Sequence, residues 1–365
     1  MFVRWDGQRV TADGRPAKAG PAMALPGMED AGLGPVRTFS APEAMGIRFH
    51  EVRAKSALNR VPEGPYGFGW TVNPYRGCSH ACVYCFARPT HTYLGFNAGR
   101  DFDREIVVKV NAPEVVRAEL ARPSWKRELV ALGTNTDPYQ WVESRYRLTR
   151  GVLEALDEAD TPVSVLTKSP LVLSDLPIFE RMNQARPTGV NLSVPTVDEK
   201  AWRATEPHTP SPQARLEAVA ELRRRGIPSG ILIAPIMPGI NDRPDQIEPI
   251  LQAASDADAD FVTPIALNLR KETRTVFFDW LEAERPELLP EYGRLFDGRS
   301  RLPKIEQERV IAAARGRYRR RRVSERESPP MRPPGVTGPP GSSNDEGPGS
   351  GTGRPGTARQ VSLFE

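Results

Sequence analysis

The sequence predicts an α/β protein built on a parallel sheet that closes into a barrel or a partial barrel. Short β-branched or apolar runs alternate with amphipathic helical stretches from about residue 46 to residue 275. With 39% hydrophobic and 26% charged residues, the 365-residue chain has enough apolar material for a sizeable core. All three cysteines follow the first predicted strand, and a parallel barrel carries its active residues at such strand ends.

Six stretches have the length and composition of buried strands, with helical stretches between them. The predicted strands are 70–74, 128–133, 162–167, 189–194, 230–236 and 261–267. The predicted helices are 113–121, 148–159, 174–182 and 211–226, followed by 273–297 and 303–322 without intervening strands. Ser211 is placed to cap its helix, Pro212 fits the first turn, and Gly226 ends it.

Composition divides the chain into four parts. Residues 1–45 are rich in Gly, Pro and Ala and predict a loosely ordered N-terminal extension. The barrel spans 46–275, and 276–325 forms a C-terminal helical region that ends in a basic run. Residues 326–365 are rich in Pro, Gly and Ser and offer too little apolar surface to offset the entropy of ordering, so they predict a disordered tail.

The sequence points to the cytoplasm. It contains no apolar run of about 18 or more residues, and its N-terminus lacks the apolar stretch of a secretory signal. Three clustered cysteines cannot make a disulfide framework, and in a reducing compartment they indicate metal or redox chemistry. The net charge of +4 is too modest to indicate a partner.

The cysteine spacing Cys78-x3-Cys82-x2-Cys85 places three thiols on one loop, with no fourth cysteine in the chain. An iron-sulfur cluster of four irons takes one thiolate per iron, so three thiolates leave one iron open to bind and reduce a small molecule. Two alternatives remain. One is a zinc site completed by His80 or His91, and the other is a set of buried cysteines without a metal.

The cysteine motif, with Tyr84 as the aromatic residue before the last cysteine, resembles the signature of radical S-adenosylmethionine (SAM) enzymes. The branch that it resembles is similar to spore photoproduct lyase, often described as DNA-repair-photolyase-like, in an actinobacterial-type subgroup. The resemblance covers about residues 47–295. It is carried by "TVNPYRGCSHACVYCFARP", "GTNTDPYQ", "LTKS" and "APIMPGIND".

The resemblance implies a partial (β/α)6 barrel, a 4Fe-4S cluster held by the three cysteines, and reductive cleavage of SAM to methionine and a 5′-deoxyadenosyl radical. An external electron donor is then required. The leading hypothesis is a radical SAM enzyme that acts on nucleic acid. The alternatives are a radical SAM enzyme for a protein or small molecule, and a non-catalytic, zinc-stabilised DNA-binding adaptor.

Polar residues at predicted strand ends are candidates for SAM contacts. Lys168 offers an ammonium to the SAM carboxylate, and Ser193 offers a hydroxyl to the carboxylate or ribose. Glu206 and Arg215 are weaker candidates, because a structural salt bridge explains them equally well. After the second strand, a glycine would let the backbone approach a ligand closely, and the short polar side chains that follow it can accept hydrogen bonds from an ammonium group. These residues are Gly133, Thr134, Asn135 and Asp137.

The chain departs from spore photoproduct lyase in one respect. That enzyme is thought to use an additional cysteine as hydrogen donor, and this chain has none to spare. We therefore do not transfer the repair of thymine dimers from that enzyme to this chain. Tyr93, Tyr139 and Tyr146 are candidates to replace the thiol, with aromatic packing as the alternative role of each, and the first two are retained as catalytic candidates.

Two features near the C-terminus suggest partners. The terminal residues Gln360, Leu363 and Phe364 belong to a pentapeptide resembling the motif by which bacterial repair enzymes dock on the DNA sliding clamp, with folding back onto the barrel as the alternative. An arginine run predicts phosphate contacts with nucleic acid, against a solvated helix end. Its arginines are Arg315, Arg317, Arg319, Arg320, Arg321 and Arg322.

Overall fold

The computed structural model describes residues 36–62, 67–315 and 318, and two sheets organise them. The larger sheet has seven strands in the order β11-β10-β9-β8-β7-β4-β3, and the smaller has four in the order β1-β2-β6-β5. The strands are β1 Val36–Arg37, β2 Arg48–Val52, β3 Leu58–Arg60, β4 Trp70–Val72, β5 Tyr75–Arg76, β6 Glu105–Lys109, β7 Val130–Leu132, β8 Val163–Thr167, β9 Thr188–Ser193, β10 Ile231–Ile236 and β11 Val262–Ala266.

Six strands of the larger sheet run parallel, from β4 through β7, β8, β9 and β10 to β11, and β3 is antiparallel to β4 at one edge. Each of the six stretches predicted from sequence overlaps one of these parallel strands, and only β9 begins one residue before its predicted stretch. The arrangement confirms a partial TIM-like barrel. The C-terminal ends of its parallel strands share one face, where such barrels carry their chemistry.

Eleven α-helices are found in the described part of the chain, of which the first eight lie in connections between the parallel strands and the last three follow β11. They are α1 Arg100–Arg104, α2 Ala112–Leu120, α3 Glu143–Tyr146, α4 Leu148–Glu158, α5 Leu176–Ala185, α6 Glu199–Thr205, α7 Pro212–Arg224, α8 Pro244–Asp256, α9 Lys271–Glu284, α10 Leu289–Leu295 and α11 Lys304–Ala312. The Ser211 hydroxyl accepts from the Ala214 backbone N–H at 3.2 Å, so α7 begins as its capping sequence predicts. In α4, Leu148, Val152 and Leu156 recur every four residues, and all three are buried.

The smaller sheet was not predicted from the sequence. β1 lies within the segment expected to be a loosely ordered extension, where it pairs antiparallel with β2. β6 pairs parallel with β2 and antiparallel with β5, and β5 leads directly into the cysteine loop. This sheet is therefore joined directly to the cysteine loop through β5.

The domain boundaries proposed from composition stay predictions. Residues 1–35 and 319–365 lie outside the described residues, which leaves the disordered tail, the terminal pentapeptide and most of the arginine run untested. Arg315 is described, at the end of the helical region. Within 36–62, 67–315 and 318, no helix is long and apolar enough to cross a membrane.

Candidate cluster and SAM site

One cavity of about 380 Å³ lies at the C-terminal ends of the parallel strands. The residues that the sequence assigned to the cluster and its preferred SAM candidates line it, whereas the weaker candidates Glu206 and Arg215 do not. The assigned residues that line it are Cys78, Cys82, Cys85, Gly133, Thr134, Asn135, Asp137, Lys168 and Ser193. The remaining wall is largely apolar, which suits a site that must exclude water from reactive chemistry.

The backbone around Gly77 fixes the start of the cysteine loop. Gly77 has a φ of +84°, and a Cβ there would lie 2.8 Å from the Phe102 carbonyl oxygen, so a larger residue would not fit. The Cys78 N–H donates to the same carbonyl at 3.0 Å. Gln140 also fixes this part of the loop, because its side chain donates to the Gly77 carbonyl and accepts from the Ser79 N–H.

Arg88 ties the cysteine loop to the segment that follows it. Its guanidinium is fully buried and donates to the Cys82 carbonyl at 2.9 Å and to the Gly99 carbonyl at 2.9 Å. The Asp103 carboxylate lies 3.0 Å from the Arg88 guanidinium and balances its charge. A buried cation satisfied by carbonyls from two segments holds them in one geometry.

The three thiols suit a cluster better than a single ion. Burial raises the pKa of all three, so without a metal they would stay protonated. A bound metal supplies the positive charge that stabilises the thiolates. Within the described part of the chain, no three His, Cys, Asp or Glu side chains are grouped to hold a single metal ion. Three thiols spread around one cavity fit the separate irons of a polynuclear cluster.

The two histidines considered as zinc ligands have other partners. His91 is fully buried and donates from Nε2 to the Glu105 carbonyl at 2.9 Å. Burial lowers the pKa of His91 to about 4, so its imidazole is neutral. His80 lines the cavity, with Nδ1 3.4 Å from an Asp137 carboxylate oxygen. Neither contact supports the zinc alternative.

A buried ionic network lies beside β8 and β9, and its members Lys168, Ser193 and Tyr84 line the cavity. Lys168 Nζ lies 2.9 Å from Glu206 and donates to the Ser193 hydroxyl at 2.6 Å. Arg215 pairs with the other Glu206 oxygen at 2.7 Å, and the Tyr84 hydroxyl also donates to Glu206. Burial alone would raise the pKa of Glu206, but the charges of Arg215 and Lys168 outweigh it and bring the pKa to about 2. Two cations share one carboxylate, so this network keeps a net positive charge.

In the loop after β7, the backbone passes close to β8, and a carboxylate of the loop makes two hydrogen bonds to the end of β8. Gly133 has a φ of +87°, and a Cβ there would lie 1.8 Å from the Leu166 carbonyl oxygen. Asp137 accepts from the Thr167 hydroxyl at 2.6 Å and from the Lys168 N–H at 2.7 Å. Asp137 therefore joins the ends of β7 and β8, while the neighbouring Thr134 and Asn135 line the cavity.

The two tyrosines retained as catalytic candidates are not part of this cavity. Tyr93 is 68% exposed, and Tyr139 is fully buried with its hydroxyl donating to Asp175 at 2.9 Å. Tyr146 donates to Glu51 at 2.8 Å, near the smaller sheet. The tyrosine that does line the cavity is Tyr84, within the cysteine motif.

Sequence reasoning missed two polar residues that follow β11. Asn268 and Arg270 both line the cavity, and the buried Asn268 Oδ1 atom has no hydrogen-bond partner among the described residues. The signal for them was their position directly after the sixth parallel strand, where a barrel places functional side chains. The ion pair of Glu206 with Arg215, by contrast, was anticipated as the structural explanation of those residues.

Comparison with known proteins identifies the family. The radical SAM superfamily matches residues 72–252, which include all three cysteines. The chain belongs to the radical SAM superfamily. It is 45% identical over 321 residues to an uncharacterized protein of Mycobacterium tuberculosis (strain ATCC 25618 / H37Rv), covering 87% of this chain and 93% of that protein.

Two further similarities are more distant. The radical SAM Nalpha-GlyT isomerase of Pseudomonas phage M6 is 29% identical over 168 residues, which cover 46% of this chain and 33% of that enzyme. A solved structure of spore photoproduct lyase complexed with dinucleoside spore photoproduct has a TM-score of 0.49 at 17% identity, covering 65% of this chain and 67% of the lyase.

The protein is a radical SAM enzyme, and its cofactors are a 4Fe-4S cluster and SAM. The family match overturns the alternative of a non-catalytic, zinc-stabilised adaptor, since the cysteine loop lies within the matched residues. Cys78, Cys82 and Cys85 are the residues that would hold the cluster. Lys168, Ser193 and the loop after β7 lie around the same cavity and are available to SAM.

Proposed function

We propose that this enzyme reductively cleaves SAM to methionine and a 5′-deoxyadenosyl radical and directs that radical at a nucleic acid. The observation that carries the proposal is the shared cavity, in which three thiols face a lysine and a serine from neighbouring strand ends. The bound cluster and SAM supply the radical chemistry, and the protein supplies orientation and exclusion of water.

The residues around the cavity have distinct tasks in this proposal. Lys168 and Ser193 bind the SAM carboxylate, which balances the net positive charge of the Glu206 network. Gly133 lets the backbone approach SAM closely, and Thr134 and Asn135 accept from its ammonium group. Arg88 keeps the cysteine loop in place while the ligand binds.

The nucleic acid target is supported by sequence rather than by the cavity. The motif string around the cysteines and the strand-end motifs resemble the branch similar to spore photoproduct lyase. The chain also carries an arginine run, and dense arginines suit phosphate contacts. A target of a different class, a protein or a small molecule, is a distinguishable outcome of the same experiment.

Anaerobic reconstitution with iron and sulfide tests the proposal directly. The purified protein should become brown, and with dithionite and SAM it should form 5′-deoxyadenosine and methionine. Incubation with DNA, RNA or a protein and metabolite extract, followed by mass spectrometry, then identifies the substrate class. A reconstituted protein that forms no 5′-deoxyadenosine would refute the proposed reaction, and a product found only in the protein or metabolite fraction would refute the nucleic acid target.

The partners proposed for the C-terminus need their own experiment, because those residues lie outside the described part of the chain. We propose that residues 355–365 bind the bacterial sliding clamp with micromolar affinity, since a short peptide loses conformational entropy when it binds. Leu363→Ala with Phe364→Ala should remove clamp binding and leave SAM cleavage intact. Failure of the wild-type peptide to bind, or loss of SAM cleavage in the double variant, would instead favour folding back onto the enzyme.

Deletion of residues 315–326 tests the arginine run separately. If these arginines contact phosphates, the deletion should flatten the dependence of DNA or RNA affinity on salt concentration. Equal salt slopes for the full chain and the deletion variant would favour a solvated helix end.

A further inference from the structure

Helix α1, Arg100–Arg104, lies directly on the cysteine loop. Its central residue Phe102 is buried and packs against Cys78 and Ala87. The Phe102 carbonyl also accepts the hydrogen bond from the Cys78 N–H at 3.0 Å. One short helix therefore separates the first cysteine of the loop from the surface on this side.

The outer face of α1 carries two arginines. Arg100 and Arg104 are four residues apart, so they share the helix face opposite Phe102, and both are exposed. Among the described residues, neither forms an ion pair within 4.0 Å. Of the aspartates of the same helix, Asp103 pairs with Arg88 at 3.0 Å, whereas Asp101 accepts from the Asn97 N–H at 2.9 Å and keeps its charge. Arg100 and Arg104 together still outweigh the single charge of Asp101.

Exposed apolar side chains border these arginines. Met45 is 71% exposed and Tyr93 is 68% exposed, and they are two of the four large hydrophobic side chains exposed in the described part of the chain. Tyr93 lies in the 3-10 helix Arg88–Leu94, which contacts α1. Met45 precedes Gly46, and a Cβ on Gly46 would lie 3.2 Å from an Arg104 guanidinium nitrogen. We call Met45, Tyr93, Arg100 and Arg104 the cluster-side patch.

We propose that the cluster-side patch docks a small acidic one-electron carrier protein that reduces the cluster. This inference rests on the proposed function, because reductive cleavage of SAM needs one electron from outside the chain. The carrier loses one electron, the cluster held by the three cysteines gains it, and no bond is made or broken in this step. The patch is positive with an apolar border, which complements an acidic partner with a small apolar centre.

The location of the patch suits electron transfer. A helix with its side chains is about 10–12 Å across, so a carrier seated on α1 approaches the cysteine loop to about that distance. Complexes of redox proteins are small and short-lived, with total interfaces below about 1,200 Å², and a compact patch of four side chains fits that class. Their association relies on steering by charge and weakens as salt is added.

The test compares a protein reductant with a chemical one. A bacterial flavodoxin, photoreduced and freed of excess reductant, is mixed with the reconstituted enzyme in a stopped-flow instrument, and bleaching of the cluster absorbance is recorded. Arg100→Gln with Arg104→Gln should slow this bleaching at least about tenfold at low salt, with the difference shrinking at high salt. The affinity of labelled, oxidised flavodoxin for the enzyme should fall in parallel, which gives a readout independent of turnover.

A control variant, Arg122→Gln with Arg224→Gln, removes the same amount of charge from two exposed positions, one just after α2 and one at the end of α7. Glu221, the ion-pair partner of Arg224, keeps its pairing with Arg225 at 2.9 Å. The control variant should bind and accept electrons as the wild type does. Equal slowing in the two double variants, or no slowing in either, would overturn the docking proposal. SAM cleavage driven by dithionite should be unchanged in both variants, and its absence in the wild type would count against the proposed function instead.

Discussion

Two buried glutamates, one near the cavity and one near the smaller sheet, differ in the direction in which their pKa is shifted. Glu206, which pairs with Lys168 of the cavity lining, is fully buried, and its pKa falls to about 2 because the charges of Arg215 and Lys168 outweigh the effect of burial. Glu143, beneath the smaller sheet, is also buried, but burial raises its pKa to about 7. The partners of Glu143 are the Tyr75 hydroxyl and backbone N–H groups, none of which carries a charge.

The difference reflects what each region must do. At the cavity the charges are kept, because a network with one spare positive charge can bind an anionic ligand group without rearranging. Beneath the smaller sheet the carboxyl is a hydrogen-bonding group between strand β5 and helix α3, and neutrality at moderate pH spares the cost of a buried charge. The four predictions below test this contrast.

The largest effect is expected at the cysteines, which make the cavity a cofactor site. Replacing any one of Cys78, Cys82 and Cys85 by Ala should abolish the visible absorbance of the cluster and the formation of 5′-deoxyadenosine, because each thiolate holds one iron. The measurement is the absorbance spectrum after anaerobic reconstitution, together with product analysis. Retained SAM cleavage in a variant lacking all three thiols would contradict the assignment.

The next effect is expected at Gly133, where a Cβ would lie 1.8 Å from the Leu166 carbonyl oxygen of β8. Gly133→Ala should cost at least about 4 kcal/mol of folding free energy, because the new methyl group would overlap the Leu166 carbonyl and the positive φ is unfavourable. Gly226→Ala is the matched control, since Gly226 also has a positive φ but a Cβ there meets nothing within 4 Å. It should cost only about 1 kcal/mol. Similar denaturant midpoints for the two variants would show that close packing at Gly133 is unimportant.

The sequence predicted the larger sheet because its strands carry a local signal. Stretches such as 162–167 and 230–236 are short, apolar and β-branched, and helices with clear periodicity separate them. The smaller sheet lacks that signal, because β1 and β5 have two residues each and β2 contains Arg48, His50 and Glu51. Its strands are joined by pairings between residues far apart in the chain, which no local pattern reveals.

The site could be predicted as far as strand ends and residue types determine it. Lys168 and Ser193 are assigned to SAM from their positions at predicted strand ends together with the resemblance to radical SAM enzymes, and the structure places Lys168 Nζ 2.6 Å from the Ser193 hydroxyl. Tyr93 and Tyr139 were chosen for their chemistry without a strand end to place them, and both lie outside the cavity. Burial and side-chain direction within a loop depend on tertiary packing, so composition and spacing do not supply them.

A smaller effect is expected for Lys168, whose ammonium group is positioned by its ion pair with Glu206. Lys168→Ala should weaken SAM binding about ten- to hundredfold, because the loss of a charged hydrogen bond is worth about 1.5–3 kcal/mol. The cluster spectrum should survive, since Lys168 does not hold iron. Equilibrium dialysis with SAM measures the affinity, and Arg150→Ala, which removes a cation outside the cavity lining, is the control. Unaltered SAM affinity in Lys168→Ala would refute its role in orienting SAM.

The smallest effect is expected at Glu143, and it depends on pH. Because burial raises the folded-state pKa to about 7 from the ordinary value of 4.5, the folded protein holds the proton more tightly than the unfolded chain does. The stabilising contribution is present below pH 4.5 and is lost as the pH rises through 7. Relative to Glu143→Gln, the wild type should therefore lose about 2 kcal/mol of unfolding free energy between about pH 5 and 7.

Urea unfolding of the two proteins at several pH values measures this difference, and other titrating groups cancel because both proteins share them. Glu206→Gln sharpens the contrast, since the pKa of Glu206 is already about 2 and the carboxylate is charged throughout this range. That variant should be destabilised by a nearly constant amount, because Arg215 and Lys168 lose the charge they share. A pH-independent difference between the wild type and Glu143→Gln would mean that Glu143 is ionised in the folded protein, as Glu206 is, and the two regions would then not differ in the way their pKa values indicate.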